Sequence, residues 1–350
     1  MLNLALLLLL GAVSALALRP VLGSAVPSVS AGAAVMAWGI FVVAALTQLP
    51  FPAWVGQLIT LELLVVWGYL AFSYLRSGFR GELGPYLRRP ANALAAGTWV
   101  AGSAVLGRAL VETLPQWRAL ELGLWMVAVV VWIFYLRLLP GAFRAAGGSG
   151  EYRANGALLL PCVATQSLVV SGDAALPGGM PELIAAVLIG LGCLFYASGF
   201  VLITGRYLLI PDWSLPEDWD DTNCILHGAV SIAGLAAVQS GALPYDWAFV
   251  LWLWAVAAFV VVEGLELARA AARVRVYGWR EGLLPYNVSQ WSRNFTFGMF
   301  YAFTLQLGAS PATDDWASGA QGIILDFGQY VVLAALLVET ALFFYRKAAK

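Results

Sequence analysis

The chain has 350 residues, of which 61% are hydrophobic and 11% are charged, and its formal net charge is −1. An average soluble domain is about half apolar and about a quarter charged. This shortage of charge excludes a water-soluble fold and indicates a polytopic, all-α membrane protein. A helix that spans a bilayer needs roughly 20 apolar residues, so the chain has room for about eleven such helices.

Eleven continuous apolar runs are each long enough to cross a bilayer. The first, residues 2–18, is expected to be a retained helix, because it lacks the basic start and the cleavage site of a signal peptide. The runs do not alternate as membrane β-strands do, so they predict helices, which satisfy their own backbone hydrogen bonds in lipid. The other ten runs are residues 30–48, 54–75, 93–112, 117–139, 156–171, 181–206, 223–241, 247–270, 294–309 and 321–345.

Short turns that contain proline, in most cases with tryptophan nearby, recur along the chain. Proline ends a helix and tryptophan favours the membrane interface, so each turn is predicted to be the tip of a helical hairpin. The sequence therefore divides into residues 1–29, which hold one extra N-terminal transmembrane helix, and residues 30–350, a ten-helix domain of five repeated hairpins. The prolines of the turns are separated by 65, 62, 67 and 67 residues, and they are Pro50, Pro115, Pro177, Pro244 and Pro311.

The two helices of each predicted hairpin differ in composition. The first is rich in small residues, such as Gly97, Gly102 and Gly107, whereas the second is bulkier, as in residues 124–132. Small residues allow helices to approach closely in lipid. We therefore expect five small-residue helices on the inside and five bulky helices on the outside.

The basic residues predict the orientation of the chain in the membrane. Of the 19 Lys and Arg residues, all but Arg108 and Arg118 lie on the side opposite the proline turns. By the positive-inside rule that side is cytoplasmic. The C-terminus is then cytoplasmic, the proline turns face outward, and the extra helix places Met1 outside.

The sequence offers little that could hold a metal or a cofactor. His227 is its single histidine, which excludes a histidine pair on a haem. Cys162, Cys193 and Cys224 lie on different predicted helices without the spacing of metal ligands. Nucleotide-binding and hydrolase motifs are absent from the sequence. We predict no cofactor, no metal site and no catalytic residue, and hence a protein that is not an enzyme.

Charged residues inside predicted helices indicate function by default, because charge is costly in a bilayer. Arg108, near the outer end of an inner helix, either snorkels to the interface or attracts anions. His227 is either a helix-packing residue or a polar group that faces a pore. Five acidic residues lie on the bulky helices, which favours contacts between hairpins or subunits, and they are Glu62, Glu263, Glu266, Asp326 and Glu339.

Five segments of the predicted inner helices resemble the tellurite-resistance/dicarboxylate transporter family, which shares a superfamily with the plant slow-type anion channels. Residues 291–300, WSRNFTFGMF, resemble the family's W-x-x-x-F-P-L-G-M-Y stretch, although Thr296 stands where proline is frequent. The other similar segments are residues 32–40, residues 96–102, residues 159–172 and residues 227–229. The last of these reads His-Gly-Ala where members often have Met-Gly-Ala.

The resemblance implies a quasi-fivefold ring of hairpins around a central pore for small anions. It also implies that a phenylalanine on the fifth inner helix closes the pore, and the motif spacing assigns this role to Phe295, with Phe297 as the alternative. A hydrophobic constriction gates by dewetting. Close relatives form homotrimers, so a homotrimer in membrane lipid is expected. The pore-lining candidates are Met36, Gly39, Thr98, Pro161, His227, Gly228 and Gly298.

The sequence thus favours a passive channel or facilitator for small anions. Proton- or sodium-driven carriers often have a buried carboxylate on their pathway, and the predicted inner helices show none. The alternative is a secondary transporter that exports a C4-dicarboxylate, sulfite or a similar acid anion, and a membrane scaffold that moves nothing is a third possibility. We expect no nucleic-acid partner and a location in a bacterial or archaeal cytoplasmic membrane.

Overall fold

A computed structural model describes residues 5, 6, 9, 11–13, 26–148, 152–209, 213–308 and 315–348. These residues are helical or irregular, and none of them forms a β-strand. The extra helix predicted at residues 2–18 lies largely outside this part of the chain. The ten long helices are α1 (Gly32–Val43), α2 (Ala53–Phe79), α3 (Gly97–Thr113), α4 (Arg118–Leu136), α5 (Leu160–Ala175), α6 (Glu182–Leu209), α7 (Ile225–Ser240), α8 (Tyr245–Leu283, with a break at Gly278), α9 (Trp291–Gly308) and α10 (Asp315–Ala348).

The helices alternate between buried and exposed along the chain. The spans that contain α1, α3, α5 and α7 are 72–83% buried, whereas those of α2, α4, α6, α8 and α10 are 22–28% buried. The small-residue helices are therefore the inner ones and the bulky helices are the outer ones, as their compositions predict. We call α1, α3, α5, α7 and α9 the inner helices, and the other five the outer helices.

Nine helical segments in the described residues are long and apolar enough to cross a membrane, against eleven predicted over the whole chain. Residues 2–18 fall largely outside the described part of the chain, and α9 is not among the nine. Four of the five residues from Ser292 to Thr296 are polar or charged, which lowers the hydropathy of α9. Because α9 packs against α1, α7, α8 and α10, it is enclosed by protein and does not need a lipid-compatible surface.

Contacts between inner helices follow the order of the chain. Each inner helix packs against the next one, and α9 packs back against α1. Each outer helix packs against the inner helix of its own hairpin and also against that of the next hairpin, with α10 packing on α1. Trp67 of α2 donates to the Ser103 hydroxyl of α3 at 2.8 Å, and Trp132 of α4 donates to the Thr165 hydroxyl of α5 at 3.0 Å. Neighbouring hairpins are thus joined by the same kind of hydrogen bond.

The inner helices also begin in a similar way. A 3₁₀ turn precedes four of them, and in three cases the residue before the turn caps it. The side chains of Asn155, Asp220 and Asn287 each accept a hydrogen bond from the backbone N–H two residues later. Asn155 also donates to Asp220 at 3.1 Å, and Asn287 donates to Asp221 at 3.3 Å. The cap of each of these repeats is therefore bonded to the cap of the next repeat or to the residue beside it.

The two ends of the helical bundle differ in chemistry. We call the end that carries the proline turns the tip end, and the opposite end the arginine-rich end. At the arginine-rich end, Arg206 donates to the Ala154 carbonyl at 2.7 Å, and Arg273 donates to the Pro216 carbonyl at 3.1 Å. Trp291 donates to the phenol of Tyr286 at 2.9 Å, and burial raises the pKa of that phenol. The loops of this end are thereby held together by side chains from different hairpins.

Candidate functional site

A cavity of ≈ 160 Å³ opens at the tip end, and side chains from all five inner helices line it. We call this cavity the vestibule. Its floor is apolar and comprises Ile40, Val105, Ile232 and Met299, one from each of four inner helices. Its polar lining lies mostly nearer the helix ends, and it consists of Arg108, Glu112, Ser167, Ser171, Gln239 and Gln306. The vestibule therefore changes from polar at its mouth to apolar at its floor.

The lining of the vestibule on α9 forms one stripe that continues to Phe295. Met299, Ala302 and Gln306 line the cavity, and they stand four, seven and eleven residues after Phe295. At 3.6 residues per turn, these spacings return to nearly the same side of a helix. Phe295 is therefore on the cavity-facing stripe, one turn beyond the floor. Its side chain is 1% exposed, so the stripe is closed to solvent at this point.

Three other predicted pore residues lie close to the vestibule without lining it. Met36 stands one turn before Ile40 on α1 and is 1% exposed. A Cβ on Gly39 would lie 2.6 Å from Val105 Cγ1, and a Cβ on Gly298 would lie 2.5 Å from Ile40 Cγ2. Two floor side chains thus fit against glycines of the neighbouring helix, where any larger residue would displace them.

The remaining predicted pore residues are buried at helix contacts. The Thr98 hydroxyl donates to the carbonyls of Val29 and Ala95 at 3.1 and 2.8 Å, which joins the starts of α1 and α3. Pro161 is the second residue of α5, where its missing N–H costs no hydrogen bond. Gly228 faces the Thr296 side chain, and a Cβ on it would overlap that side chain.

His227 and Phe297 belong to an aromatic cluster that faces α8. The Phe297 ring lies 5.6 Å from the ring of Phe259 and 6.1 Å from that of His227. His227 Nε2 is 3.3 Å from Glu263 Oε1, and the histidine is fully buried. The structure thus gives His227 the helix-packing position, and it directs Phe297 away from the stripe that carries Phe295.

A charge network, defined as Asp221, Glu263, Glu266, Arg269 and Arg293, links α8 to α9 at the arginine-rich end. Arg293 Nη2 lies 2.6 Å from Glu266 Oε1, and Arg293 Nε lies 3.6 Å from Glu263 Oε2. Arg269 Nη1 lies 2.5 Å from Asp221 Oδ1 and 3.5 Å from Glu266 Oε2. The two acids of α8 therefore lie at a contact between hairpins, which is one of the two positions that the sequence analysis favoured for them.

Glu121 is a buried acid that the sequence analysis overlooked. It lies in the first turn of α4, and its exposed fraction is 0%. Within the described part of the chain, neither of its carboxylate oxygens has a hydrogen-bond partner. Its Cγ packs 3.4 Å from the position that a Cβ on Gly107 of α3 would occupy. A glycine on the facing helix is the sequence signal that could have indicated this close contact.

Replacing Glu121 with glutamine is expected to raise the melting temperature by a few degrees at pH 8. At that pH the buried glutamate either carries an unpaired charge or holds a proton that it would lose on unfolding, and both cost free energy. Thermal unfolding of the purified protein measures the effect. Glu182→Gln, which removes an exposed acid from the first turn of α6, is the matched control and should change little. A lower melting temperature for Glu121→Gln alone would show that the carboxylate is stabilising.

The bundle, with its vestibule surrounded by five buried helices, is that of a multi-pass membrane channel or transporter. The chain belongs to the voltage-dependent anion channel family, whose model matches residues 27–344. The resemblance to tellurite-resistance/dicarboxylate transporters is thereby confirmed, because these proteins are members of that family. The family comprises channels and transporters, and the described residues hold no cluster of His, Cys, Asp or Glu that could bind a metal ion. Comparison with curated proteins finds no match.

Proposed function

We propose that this protein is a passive channel or facilitator for small anions. The observation that carries the proposal is the vestibule, which has an arginine at its mouth, an apolar floor and a buried phenylalanine one turn beyond the floor. The guanidinium of Arg108, which is paired with Glu112 in the structure, offers an entering anion a positively charged hydrogen-bond donor. An apolar floor has no site that would retain an ion tightly, as rapid conduction requires.

The proposed pore runs along the axis of a quasi-fivefold ring of hairpins. Its support is the closed series of contacts in which α1, α3, α5, α7 and α9 each pack on the next and α9 packs on α1. Phe295 is the proposed gate, because it continues the cavity-facing stripe of α9. Met36, Gly39 and Gly298 are the proposed pore residues nearest to the gate. The helix contacts of Thr98, Pro161, His227 and Gly228 support a structural role for these four.

A secondary transporter of a C4-dicarboxylate, sulfite or a similar acid anion is the second candidate. Glu112 is the observation that favours it, since a carboxylate does line the vestibule on inner helix α3. However, Glu112 is paired with Arg108 at 2.6 Å and its side chain is 38% exposed. Carboxylates that couple transport to protons are usually buried within the membrane. The exposed and paired state of Glu112 therefore favours passive conduction.

Anion flux into proteoliposomes tests the proposed function. Chloride, nitrate, sulfite and malate should be compared with and without an imposed proton gradient, and protein-free vesicles serve as the control. A passive channel should give saturable or linear flux down the anion gradient that does not depend on the proton gradient. Flux that requires the proton gradient would indicate the secondary transporter, and no flux of any of the four anions would indicate a scaffold.

The proposed orientation places the tip end outside and the arginine-rich end in the cytoplasm, with a cytoplasmic C-terminus. It is supported by the asymmetry of the basic residues. Single cysteines should be introduced in a cysteine-free background at Gln116, in the exposed turn between α3 and α4, and at Glu82, exposed after α2. We expect an impermeant thiol reagent added outside intact cells to label the first position and not the second. The reverse labelling would invert the proposal.

The assembly and location remain part of the proposal. The outer helices expose large apolar side chains, such as Val130, Leu194 and Val260, which are 62–67% exposed in the monomer. Such a surface supports contact with membrane lipid and with neighbouring subunits, as a homotrimer in a bacterial or archaeal cytoplasmic membrane would provide. Residues 1–29 are proposed to hold one extra N-terminal transmembrane helix in addition to the ten-helix domain.

A further inference from the structure

Resting on the proposed function, we propose that Arg108 forms an outer binding site for small oxyanions and that Glu112 competes with the anion for it. The two side chains lie one turn apart on α3, and both line the vestibule. In the absence of an anion they pair with each other. An anion that enters from the tip end would displace the carboxylate of Glu112 and take its place on the guanidinium.

The geometry of Arg108 leaves room for such an exchange. Its Nη2 lies 2.6 Å from Glu112 Oε1, whereas its Nε is buried and has no hydrogen-bond partner within the described residues. A guanidinium has five N–H donors, so the contact with Glu112 leaves most of them for a ligand. Its planar fork fits the oxygens of a carboxylate or another planar oxyanion. A partly exposed pair four residues apart on a helix stabilises only weakly, so an anion could replace it readily.

Arg108 is the basic group best placed to receive an anion from the tip end. Across the described inner helices, Arg293 is the other Lys or Arg residue, and it lies at the opposite end, between Glu263 and Glu266. Arg118 is also at the tip end, but it begins outer helix α4 and donates to the Ala174 carbonyl at 3.2 Å. Among the described residues that line the mouth of the vestibule, Arg108 is therefore the one cationic group, and its partner there is the carboxylate of Glu112.

The rest of the mouth supplies neutral hydrogen-bonding groups. Gln239 of α7 and Gln306 of α9 line it, and both have amide N–H groups that could donate to an anion. Ser171 of α5 also lines it, and its hydroxyl donates to the Ser167 carbonyl at 2.7 Å. A water molecule occupies about 30 Å³ in the liquid. A vestibule of ≈ 160 Å³ thus accommodates a small anion with a few waters, and nitrate is the simplest planar member of this class.

Nitrate flux measured against external nitrate concentration tests the site in the full-length reconstituted protein. Arg108→Gln should raise the half-saturating concentration roughly tenfold, because it removes charge-assisted hydrogen bonds. Glu112→Gln should lower it severalfold, because it removes the competitor and keeps the arginine. Arg118→Gln is the matched control, because it removes the same charge at the same end of the bundle but outside the vestibule. We expect its half-saturating nitrate concentration to stay within about twofold of wild type.

The outcomes separate this proposal from the proposed function. If nitrate flux is present and Arg108→Gln behaves like Arg118→Gln, the binding site is wrong while the channel stands. Shifts in the same direction for Arg108→Gln and Glu112→Gln would indicate a structural pair and would also overturn the site. If wild type shows no flux, the increase in melting temperature caused by nitrate still reports binding. In that case, the site is supported if nitrate no longer raises the melting temperature of Arg108→Gln but still raises that of Arg118→Gln. Equal nitrate-induced increases in the two variants would reject the site.

Discussion

Replacing Phe295 with alanine is expected to raise anion flux at least about tenfold while leaving the fold nearly intact. The ring lies one turn beyond the vestibule floor, on the stripe of α9 that carries Met299, and it is 1% exposed. If the ring is what closes an otherwise continuous path, its removal opens a wetted passage and needs no rearrangement of helices. Flux into proteoliposomes and the melting temperature should be measured on the same preparation.

A phenylalanine that is buried only for packing would behave differently. Its truncation would leave a cavity and cost about 3–5 kcal/mol, by analogy with soluble cores, without any gain in flux. Phe297→Ala is the matched control, because Phe297 packs on Phe259 and His227 at the contact with α8. We expect that control to lose stability and to keep wild-type flux. A larger gain in flux for Phe297→Ala than for Phe295→Ala would reject the gate assignment.

Replacing Arg293 with glutamine is expected to destabilise the protein by about 3 kcal/mol. The change leaves Glu266 and Glu263 without the guanidinium that lies 2.6 and 3.6 Å from their oxygens. Breaking a buried ion pair on one side typically costs about 3–5 kcal/mol, and the lower value applies because the Arg293 side chain is 26% exposed. Thermal and denaturant unfolding in detergent measure the loss.

Two further variants make this second prediction specific. Arg153→Gln removes an arginine whose side chain is 66% exposed in its pair with Asp218, and it should change the stability by less than about 1 kcal/mol. Adding Glu266→Gln to Arg293→Gln should restore part of the lost stability, because it removes the carboxylate left unpaired. Additive losses in the double variant would show that the two side chains do not interact.

The sequence was sufficient to predict the class of the fold. Its proline turns repeat about every 65 residues, and the glycine-rich helices such as α3 are the buried ones. The helix predicted at residues 294–309 is present as α9, but it is less apolar than the spans that face lipid, because α9 is surrounded by other helices. Burial by protein allows Arg293 and Asn294 in a helix of the bundle, since neighbouring side chains rather than lipid surround them.

The candidate site was less predictable. Arg108 was recognised as a possible anion site from its place near the end of an inner helix, and it does line the vestibule. The floor residues Ile40, Val105 and Met299 were missed, because composition does not tell which side of a uniformly apolar helix faces the axis. His227 and Glu263 are 36 residues apart, and their pairing depends on how α7 and α8 pack, which no local pattern determines.

The overlap of neighbouring hairpins has a consequence for how permeability could change. Each outer helix packs over the contact between two inner helices, so each inner helix is covered by two outer helices. An inner helix that moved outward would have to displace these two outer helices. Widening the pore by moving helices therefore has a high free-energy cost. Rotation of one side chain about its χ angles has a low free-energy barrier and is fast. We expect spin-label distances between the first and third proline turns to be the same in wild type and in Phe295→Ala. A difference of several ångströms would show that the helical bundle itself widens when the ring is removed.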